Sequence, residues 1–403
     1  MRVLHLATSF SGGAGIAARR ICEAQNDNGI NSMIMGGQAS DNYEKKDNES
    51  LFRTTLSRRS LSTLVTGFQT KVLQSSDQLV TPISINSLNS SDQIFADYDL
   101  LHIHAFYNLL SVKKITELSQ KIPIVLSMHD QRFFTGGCHY SFECVGYKSS
   151  CQKCPQVRFP FKSLPEISLH KSRSLGKNPK NLTLLTPSEW LANCARQSYL
   201  LQNQIICVIP NPIPKTYRPV PEYKSKTGGL KIGFFAHDLN NPYKGLETLL
   251  LAVQSLKEKL SIEVKLYGRG VVKNSLQDIS FSQSYFNDDD SAVKAYNSCD
   301  VVVVPSIQDN SPSVVAEALM CGVPVIGTKV GGISEVLDKF KLPTFEPKNP
   351  SSLARAIQGF VHKNLNYEII NMASQVFSYK ASSDGHREIY ENSLVNFKIQ
   401  SSK

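Results

Sequence analysis

The chain has 403 residues, 41% hydrophobic and 19% charged, too long for one ordinary core, and it predicts two domains of about 150 to 200 residues. A net charge of +10 points to anionic partners: phosphate-bearing substrates, nucleic acid or an acidic membrane surface. No zinc-finger, RNP or basic-zipper pattern accompanies the charge, which argues against sequence-specific nucleic-acid binding, and no apolar run approaches the roughly 18 residues of a membrane span.

In chain order, VLHLATS opens as a short buried strand. His5 interrupts it and no cleavage pattern follows, so it does not read as a signal peptide, and a cytoplasmic location is expected. SMIMGG, LLHIHA, PIVLSMH, LTLLTPS and QIICVIPN are further strands, with helical patterns such as AGIAARRICEAQNDNG and SEWLANCARQSYLL between several of them. This alternation predicts β-α-β units on a parallel sheet. Near residue 212 the texture changes: NPIPKTYRPVPEYKSKTGG carries four prolines and ends in two glycines, as a linker does. Then LKIGFFA, the helix GLETLLLAVQSLKEKL, IEVKLYG, VVVVPS, the helix SVVAEALMCG and VPVIGT restart the alternation. The expected organisation is a first doubly wound domain over 1–212, a linker over 213–229, a second domain over 230–380 and a terminal helix over 381–403 that packs back on the first domain.

The loop SFSGGAGIAARR, residues 9 to 20, follows the first strand, and Gly13, Gly15 and Ala18 spell G-x-G-x-x-A. A dinucleotide site also needs an acid closing the second strand, but that strand ends in Gly36 and Gly37, with Asp41 and Glu44 in a polar loop beyond. The fingerprint is half complete. Glycines that merely let helix and sheet pack would look the same, although a glycine loop before a helix N-terminus can hold any phosphate.

The segment VVVVPSIQDNSPSVVAEALMCGVPVIGTKVGG, residues 301 to 332, is more informative. A strand ends at Pro305, Asp309 lies in the loop, Ser311 reads as the N-cap with Pro312 at the first helical position, and Gly322 lies just past the end. The N–H groups of that helix start suit a diphosphate. Asp309 and Glu317 beside it would repel phosphate and so suit hydroxyl groups, which a sugar and a ribose supply.

This segment resembles the donor signature of glycosyltransferase family 4, retaining enzymes of the GT-B fold: an acid, seven residues, Glu, a small-residue turn and G-x-P-V, here D-NSPSVVA-E-ALMCGVPV. SFSGGAGIAARR, VLSMHD, TPSEW, VIPNPI and YKGLETLL extend the similarity in the right order along nearly the whole chain. It is closest in kind to the subgroup that builds bacterial capsule, exopolysaccharide or lipopolysaccharide. The resemblance implies two Rossmann-like doubly wound domains facing a cleft, and transfer from a UDP- or GDP-linked sugar to a glycan or lipid-linked acceptor, with no catalytic metal. It assigns Asp309 to donor-sugar hydroxyls, Glu317 to the ribose, and the main chain of Asn310, Ser311, Pro312 and Ser313 to sugar and diphosphate. Gly12 and Gly13 would close over the phosphate, Lys244 would neutralise the leaving diphosphate, Tyr285 would sit by the nucleobase, and His129 would meet the reacting sugar or acceptor. His104, on the strand with His102, is a weaker candidate, with packing as the default. Where the family carries Arg ahead of that Lys, this chain has His237; either a protonated His237 or Arg269 takes its place, or activity is low.

Nine cysteines are too scattered for a disulfide framework, yet Cys138, Cys144, Cys151 and Cys154 crowd into 17 residues as C-x5-C-x6-C-x-x-C. Four thiolates can close a tetrahedral structural zinc site; two disulfides, which a reducing cytoplasm disfavours, and free thiols are the alternatives. The acid-free stretch between Glu49 and Asp77, with Arg53, Arg58, Arg59 and Lys71 among leucines, fits either an anionic membrane surface or a packed helix with solvated arginines. Three other functions compete: a GT-B nucleotide-sugar epimerase, a nucleotide-sugar-binding protein without transfer and, remotely, an NAD dehydrogenase.

Overall fold

The computed structural model describes residues 1–36, 46–51, 56–75, 79–84, 95–173, 181–202, 204–223, 229–272, 279–286, 288–360 and 367–401. Arg53 and the acids Asp41 and Glu44 lie outside the described residues, as do positions 224–228 of the proline-rich stretch. The chain divides into two compact units, one formed by Met1–Asn211 with Ser382–Lys403 and the other by Pro212–Ala381.

Unit 1 is built on seven parallel strands: β1 (Arg2–Ala7), β2 (Asn31–Gly36), β3 (Glu49–Leu51), β4 (Leu100–Ala105), β5 (Ile124–Ser127), β6 (Leu182–Thr186) and β7 (Ile206–Val208), in spatial order β3-β2-β1-β4-β5-β6-β7. The β1, β4 and β5 runs are buried almost throughout, because a parallel sheet is covered on both faces and has no solvent side to alternate toward. Helix α1 (Gly12–Asp27) returns from β1 to β2, and α2 (Leu56–Phe68), α3 (Val112–Leu118), α4 (Leu164–Lys171) and α5 (Glu189–Arg196) follow. Strand β3 is absent from the elements that hydrophobic pattern predicts. It has three residues, and its Glu49 is buried because Arg19 of α1 donates to it at 2.6 Å.

Unit 2 has six parallel strands, β8 (Leu230–Asp238), β9 (Ile262–Arg269), β10 (Phe281–Ser284), β11 (Val301–Val304), β12 (Val325–Thr328) and β13 (Thr344–Phe345), in order β10-β9-β8-β11-β12-β13. Its helices are α6 (Leu246–Leu256), α7 (Asp289–Asn297), α8 (Ser313–Met320), α9 (Gly331–Lys339), α10 (Pro350–Phe360) and α11 (Tyr367–Phe377). The described part of the proline-rich stretch is no loose tether. Ile213 and Tyr217 are buried in the unit 2 core, the Tyr217 hydroxyl donates to Asp289 at 2.8 Å, and the Asn297 side chain bridges the backbone at Arg218 and Val220. Proline removes donors and fixes φ without preventing a segment from packing.

The last helix, α12 (Tyr379–Ser401), lies on unit 1 from Ser382 onward. Tyr390 is fully buried among Val3, Ile30, Leu100, Val125 and Leu185. Ser383 donates to the Ala24 carbonyl at 2.6 Å and Arg387 to that of Asn28 at 2.7 Å. Among the described residues no helix is long and apolar enough to cross a membrane.

Candidate active site

The unit 2 candidates gather at the carboxyl ends of its central strands. After β8, Asn241 caps the short turn Pro242–Lys244, accepting the Tyr243 N–H at 3.0 Å. Gly245 then takes φ +74, and a Cβ there would stand 2.1 Å from the Pro305 carbonyl oxygen. Only glycine lets this turn pass so close to the end of β11, and that passage brings Lys244 to Asp309. The Lys244 ammonium donates to Asp309 Oδ2 at 2.7 Å, with the Asp309 side chain 8% and the Lys244 side chain 32% exposed. The Asp309 carbonyl accepts the Gly332 N–H at 3.1 Å, and Gly331, at φ +55, has no room for a Cβ against that same oxygen. Asp309 is therefore held at both its backbone and its carboxylate.

Helix α8 starts one residue later than the sequence indicates. Pro312, not Ser311, is the N-cap, with φ −69° and ψ 123°, and Ser313 is the first helical residue. The reason is local: Pro312 itself is extended rather than helical, so it stands outside the helix and takes the cap position. No side chain caps this start and no acid occupies its first turn, which keeps its partial positive charge uncompensated. Gly322 closes the helix at φ +69. One turn in, Glu317 is buried and its Oε2 accepts the Tyr296 hydroxyl at 2.6 Å. Burial, and then the Glu317 carboxylate, push the Tyr296 phenol well above its ordinary range, so it stays a donor. The Tyr296 ring stacks on Phe235 at 4.0 Å, and Phe235 on Tyr267 at 4.6 Å, an aromatic pile that fixes the carboxylate from behind.

Three other predicted residues lie nearby in the sheet order. His237 stands exposed near the end of β8, the strand between β9 and β11. Arg269 ends β9, and its guanidinium sits 4.7 Å above the Tyr285 ring. Lys244 with Asp309 and Arg269 with Tyr285 are thus two assembled pairs. Asn310 is buried, and Ser311 and Pro312 are half-buried in the same loop.

In unit 1 the glycines divide by role. Gly12 needs its left-handed φ of +75, and a Cβ at Gly13 would meet nothing within 4 Å. Gly15 is the packing glycine, since a Cβ would lie 2.4 Å from the Ser9 carbonyl oxygen. Gly12 and Gly13 are both exposed at the start of α1 and do not line the adjoining cavity of about 80 Å³, whose walls include Ser9, Ser11, Tyr107, His129 and Arg132. Arg132 is a wall residue that sequence reasoning missed. It lies 5.2 Å over the Tyr107 ring and donates to Thr81 Oγ1 at 2.7 Å, and burial draws it down to about 10. Burial works to raise the Asp130 carboxyl, but His139 Nδ1 at 2.6 Å and the Arg132 N–H outweigh it and hold it below its ordinary value.

His129 heads a buried chain of hydrogen bonds. His129 Nε2 meets His104 Nδ1 at 3.0 Å, His104 Nε2 meets His5 Nδ1 at 2.9 Å, and His5 Nε2 meets Gln25 Oε1 at 2.9 Å. Gln25 Nε2 donates to the Tyr390 hydroxyl at 2.7 Å, Tyr390 meets His102 Nδ1 at 2.5 Å, and His102 Nε2 meets Ser127 Oγ at 2.8 Å. The Gln25 carbonyl can only accept, so His5 carries its proton on Nε2; in neutral rings His104 and His129 must then do the same. Tyr390 accepts from Gln25 and so donates to His102. Every bond runs one way, and turning the Gln25 amide over would reverse them together. Burial holds His5 down to about 3, His129 and His386 to about 4, and His102 and His104 well below 6.5. His5, His102 and His104 bring three ring nitrogens within 4.8 Å of one another. Their nitrogens are committed to each other, His129, Gln25, Tyr390 and Ser127, so a metal ion would have to break the chain. No sequence signal links Gln25 to Tyr390, which is 365 residues away.

The four clustered cysteines all line a second small cavity of unit 1.

Residues 229–363 match the family described as "Glycosyl transferases group 1". The chain carries a group 1 glycosyl transferase domain. That domain holds every unit 2 candidate named above. Over 262 residues the chain is 26% identical to the Escherichia coli K12 protein named as colanic acid biosynthesis glycosyl transferase WcaC, covering 60% of this chain and 62% of WcaC. It is 31% identical over 122 residues to a Bacillus subtilis protein named as teichuronic acid biosynthesis glycosyltransferase TuaC, covering 30% of this chain and 31% of TuaC. The chain thus spans less than two thirds of either relative. Sucrose-phosphate synthase from Thermosynechococcus elongatus superposes over 97% of this chain and 99% of its own, with a TM-score of 0.69 at 16% identity. Anabaena HepE, solved with UDP-glucose, superposes over 97% of this chain and 100% of its own, with a TM-score of 0.62 at 16% identity. The two parallel-sheet units are those of the GT-B fold.

Proposed function

We propose that the chain is a retaining glycosyltransferase of family 4, moving a sugar from a UDP- or GDP-linked donor to a hydroxyl of a growing, lipid-linked bacterial surface glycan. The observation that carries this reading is the uncapped start of α8 flanked by two restrained carboxylates, Asp309 held by Lys244 and Glu317 held by Tyr296. The helix start and the Lys244 ammonium meet the charge that develops on the leaving diphosphate. Asp309 takes hydroxyls of the donor sugar, Glu317 those of the ribose, and the Arg269–Tyr285 pair lies toward the nucleobase. The acceptor hydroxyl attacks on the face the diphosphate leaves, a phosphate oxygen takes its proton, and the anomeric configuration is kept. The protein supplies orientation and charge stabilisation, and this chemistry asks for no metal. His129, with its tautomer set from behind by His104, contacts the reacting sugar or the acceptor. The names of WcaC and TuaC support a polysaccharide product, and the UDP-glucose complex of HepE supports a UDP-sugar. Exposed Leu61, Leu64 and Val72 beside Lys71 support attachment at an anionic membrane face.

A thermal-shift series with UDP, GDP, their sugar conjugates and NAD, on wild type and Glu317→Gln, tests the donor site. The variant keeps an acceptor for Tyr296 while removing the charge. A nucleotide sugar that stabilises wild type and not the variant, and is then transferred to an acceptor, supports the reading; stabilisation by NAD alone defeats it. Exposed His237, where the resembling family carries Arg, favours one second reading: tight donor binding without transfer would make the chain a nucleotide-sugar-binding protein.

A further inference from the structure

The proposed reaction leaves the cysteine-rich loop unused. Cys138, Cys151 and Cys154 are 6–7% exposed and Cys144 is half-buried. The four come from a segment with no strand or α-helix between Phe134 and Leu164, only short 3-10 turns. Even so, all four line one cavity, together with Val80, Tyr147 and Pro165. Its volume of about 20 Å³ is close to what a single water or ion occupies. Ser141 and Gln152 also reach this wall, but four sulfurs converging on one small space are the donor set of a soft-ligand cation rather than of a water.

The backbone around the thiols is constrained in the same sense. Phe142, Cys151 and Lys153 take left-handed φ values of 50, 56 and 47°. Each costs of order 1 kcal/mol in an L-residue and persists only where the surroundings enforce it. The N–H groups of Gln156 and Val157 bond the Cys154 sulfur and that of Gly136 the Cys151 sulfur, so polar hydrogens already face two of the four sulfurs.

We infer that Cys138, Cys144, Cys151 and Cys154 form a structural tetrahedral zinc site that fastens this loop to unit 1. Binding replaces four S–H bonds by four Zn–S bonds and releases four protons, leaving a centre of charge 2−. The aimed N–H groups and the loop's Lys148, Lys153 and Lys162 offset that charge. Among the described residues only His5, His102 and His104 bring three ligand atoms within 4.8 Å of one another. The sulfurs must therefore draw in to the ~3.8 Å separation that Zn–S bonds of ~2.3 Å impose, and a loop of short turns can give way to let them. Two disulfides would need the thiols paired off, whereas here all four face one atom-sized space. The consequence for the enzyme is positional: His139, next to Cys138, is the residue that holds Asp130 beside His129.

The test uses the full chain, produced with zinc present and purified under reducing conditions without chelator. Expected are one zinc per chain by elemental analysis, four thiols that become reactive only when the metal is stripped, and the charge-transfer and d–d bands of tetrahedral thiolate-bound cobalt after exchange into Co²⁺. Cys151→Ser and the Cys151→Ser/Cys154→Ser double variant should lose the metal. Because the cobalt spectrum is read on wild type, a variant that fails to fold does not blunt the test. A metal-free chain with nine reactive thiols, a chain with five thiols and two disulfides, or zinc that survives the double variant (placing it at the histidines) would each overturn the assignment.

Discussion

Acidification is the sharpest probe of the buried histidine chain. A buried histidine with a lowered value stays neutral in the fold, while in the unfolded chain it takes up a proton below about 6.5. Stability is then fully present above pH 6.5 and is lost as pH falls toward the folded values of about 3 for His5 and about 4 for His129 and His386. At pH 5 each ring forgoes ~2 kcal/mol of proton binding on folding. These three cost ~6 kcal/mol, and His102 and His104, likewise held neutral by burial, act in the same direction. That matches the whole stability of a typical domain, roughly 5–15 kcal/mol. Asp130 does not interfere, because a lowered carboxyl loses its contribution only below its ordinary value of 3.8. Unit 1 should therefore unfold near pH 5, with stability falling by ~4 kcal/mol per pH unit or more around pH 5.5 as the unfolded chain binds about three or more extra protons. The chain's single tryptophan, Trp190, packs against the unit 1 core, so urea titrations followed by its fluorescence at pH 7.5, 6.5 and 5.5 report this unit. A stability that moves by less than ~2 kcal/mol between pH 7.5 and 5.5 would mean the rings are protonated in the fold, and the one-way hydrogen-bond chain would be wrong.

Two further predictions concern the glycines and the Lys244–Asp309 pair. Gly245→Ala should lower the stability of unit 2 by ~2–3 kcal/mol or more, since its Cβ would press on the Pro305 carbonyl, whereas Gly13→Ala, with open space, should be neutral or stabilise by up to ~1 kcal/mol; thermal melts of both variants decide, and equal melting shifts would refute the steric account. Lys244→Met should destabilise unit 2 by ~1–3 kcal/mol by leaving the Asp309 carboxylate buried without its cation, and should cut transfer by ~100-fold or more; an active, fully stable variant would remove Lys244 from the site.

The parallel-sheet interior was readable because burial on both faces writes itself as unbroken apolar runs, as in Val301–Val304. The spacing from Asp309 to Glu317 was readable because a loop entering a helix converts sequence offset into position. The same local rule, applied to Ser311, misplaced the cap by one residue because Pro312 is itself extended and stands outside the helix. Strands β3 and β13, three and two residues long, carry no periodicity and exist only through their neighbours' hydrogen bonds. By itself the sequence determined the two α/β units, the spacing of Asp309 and Glu317 across a helix start and the clustering of four cysteines, all of which follow from near neighbours along the chain. The tertiary structure alone decided that Lys244 meets Asp309, that Tyr296 meets Glu317, and that His129 is tied through His104, His5 and Gln25 to Tyr390. Those contacts join residues between 20 and 365 positions apart, and only the crossing of strands and the return of the last helix brings them within hydrogen-bond reach.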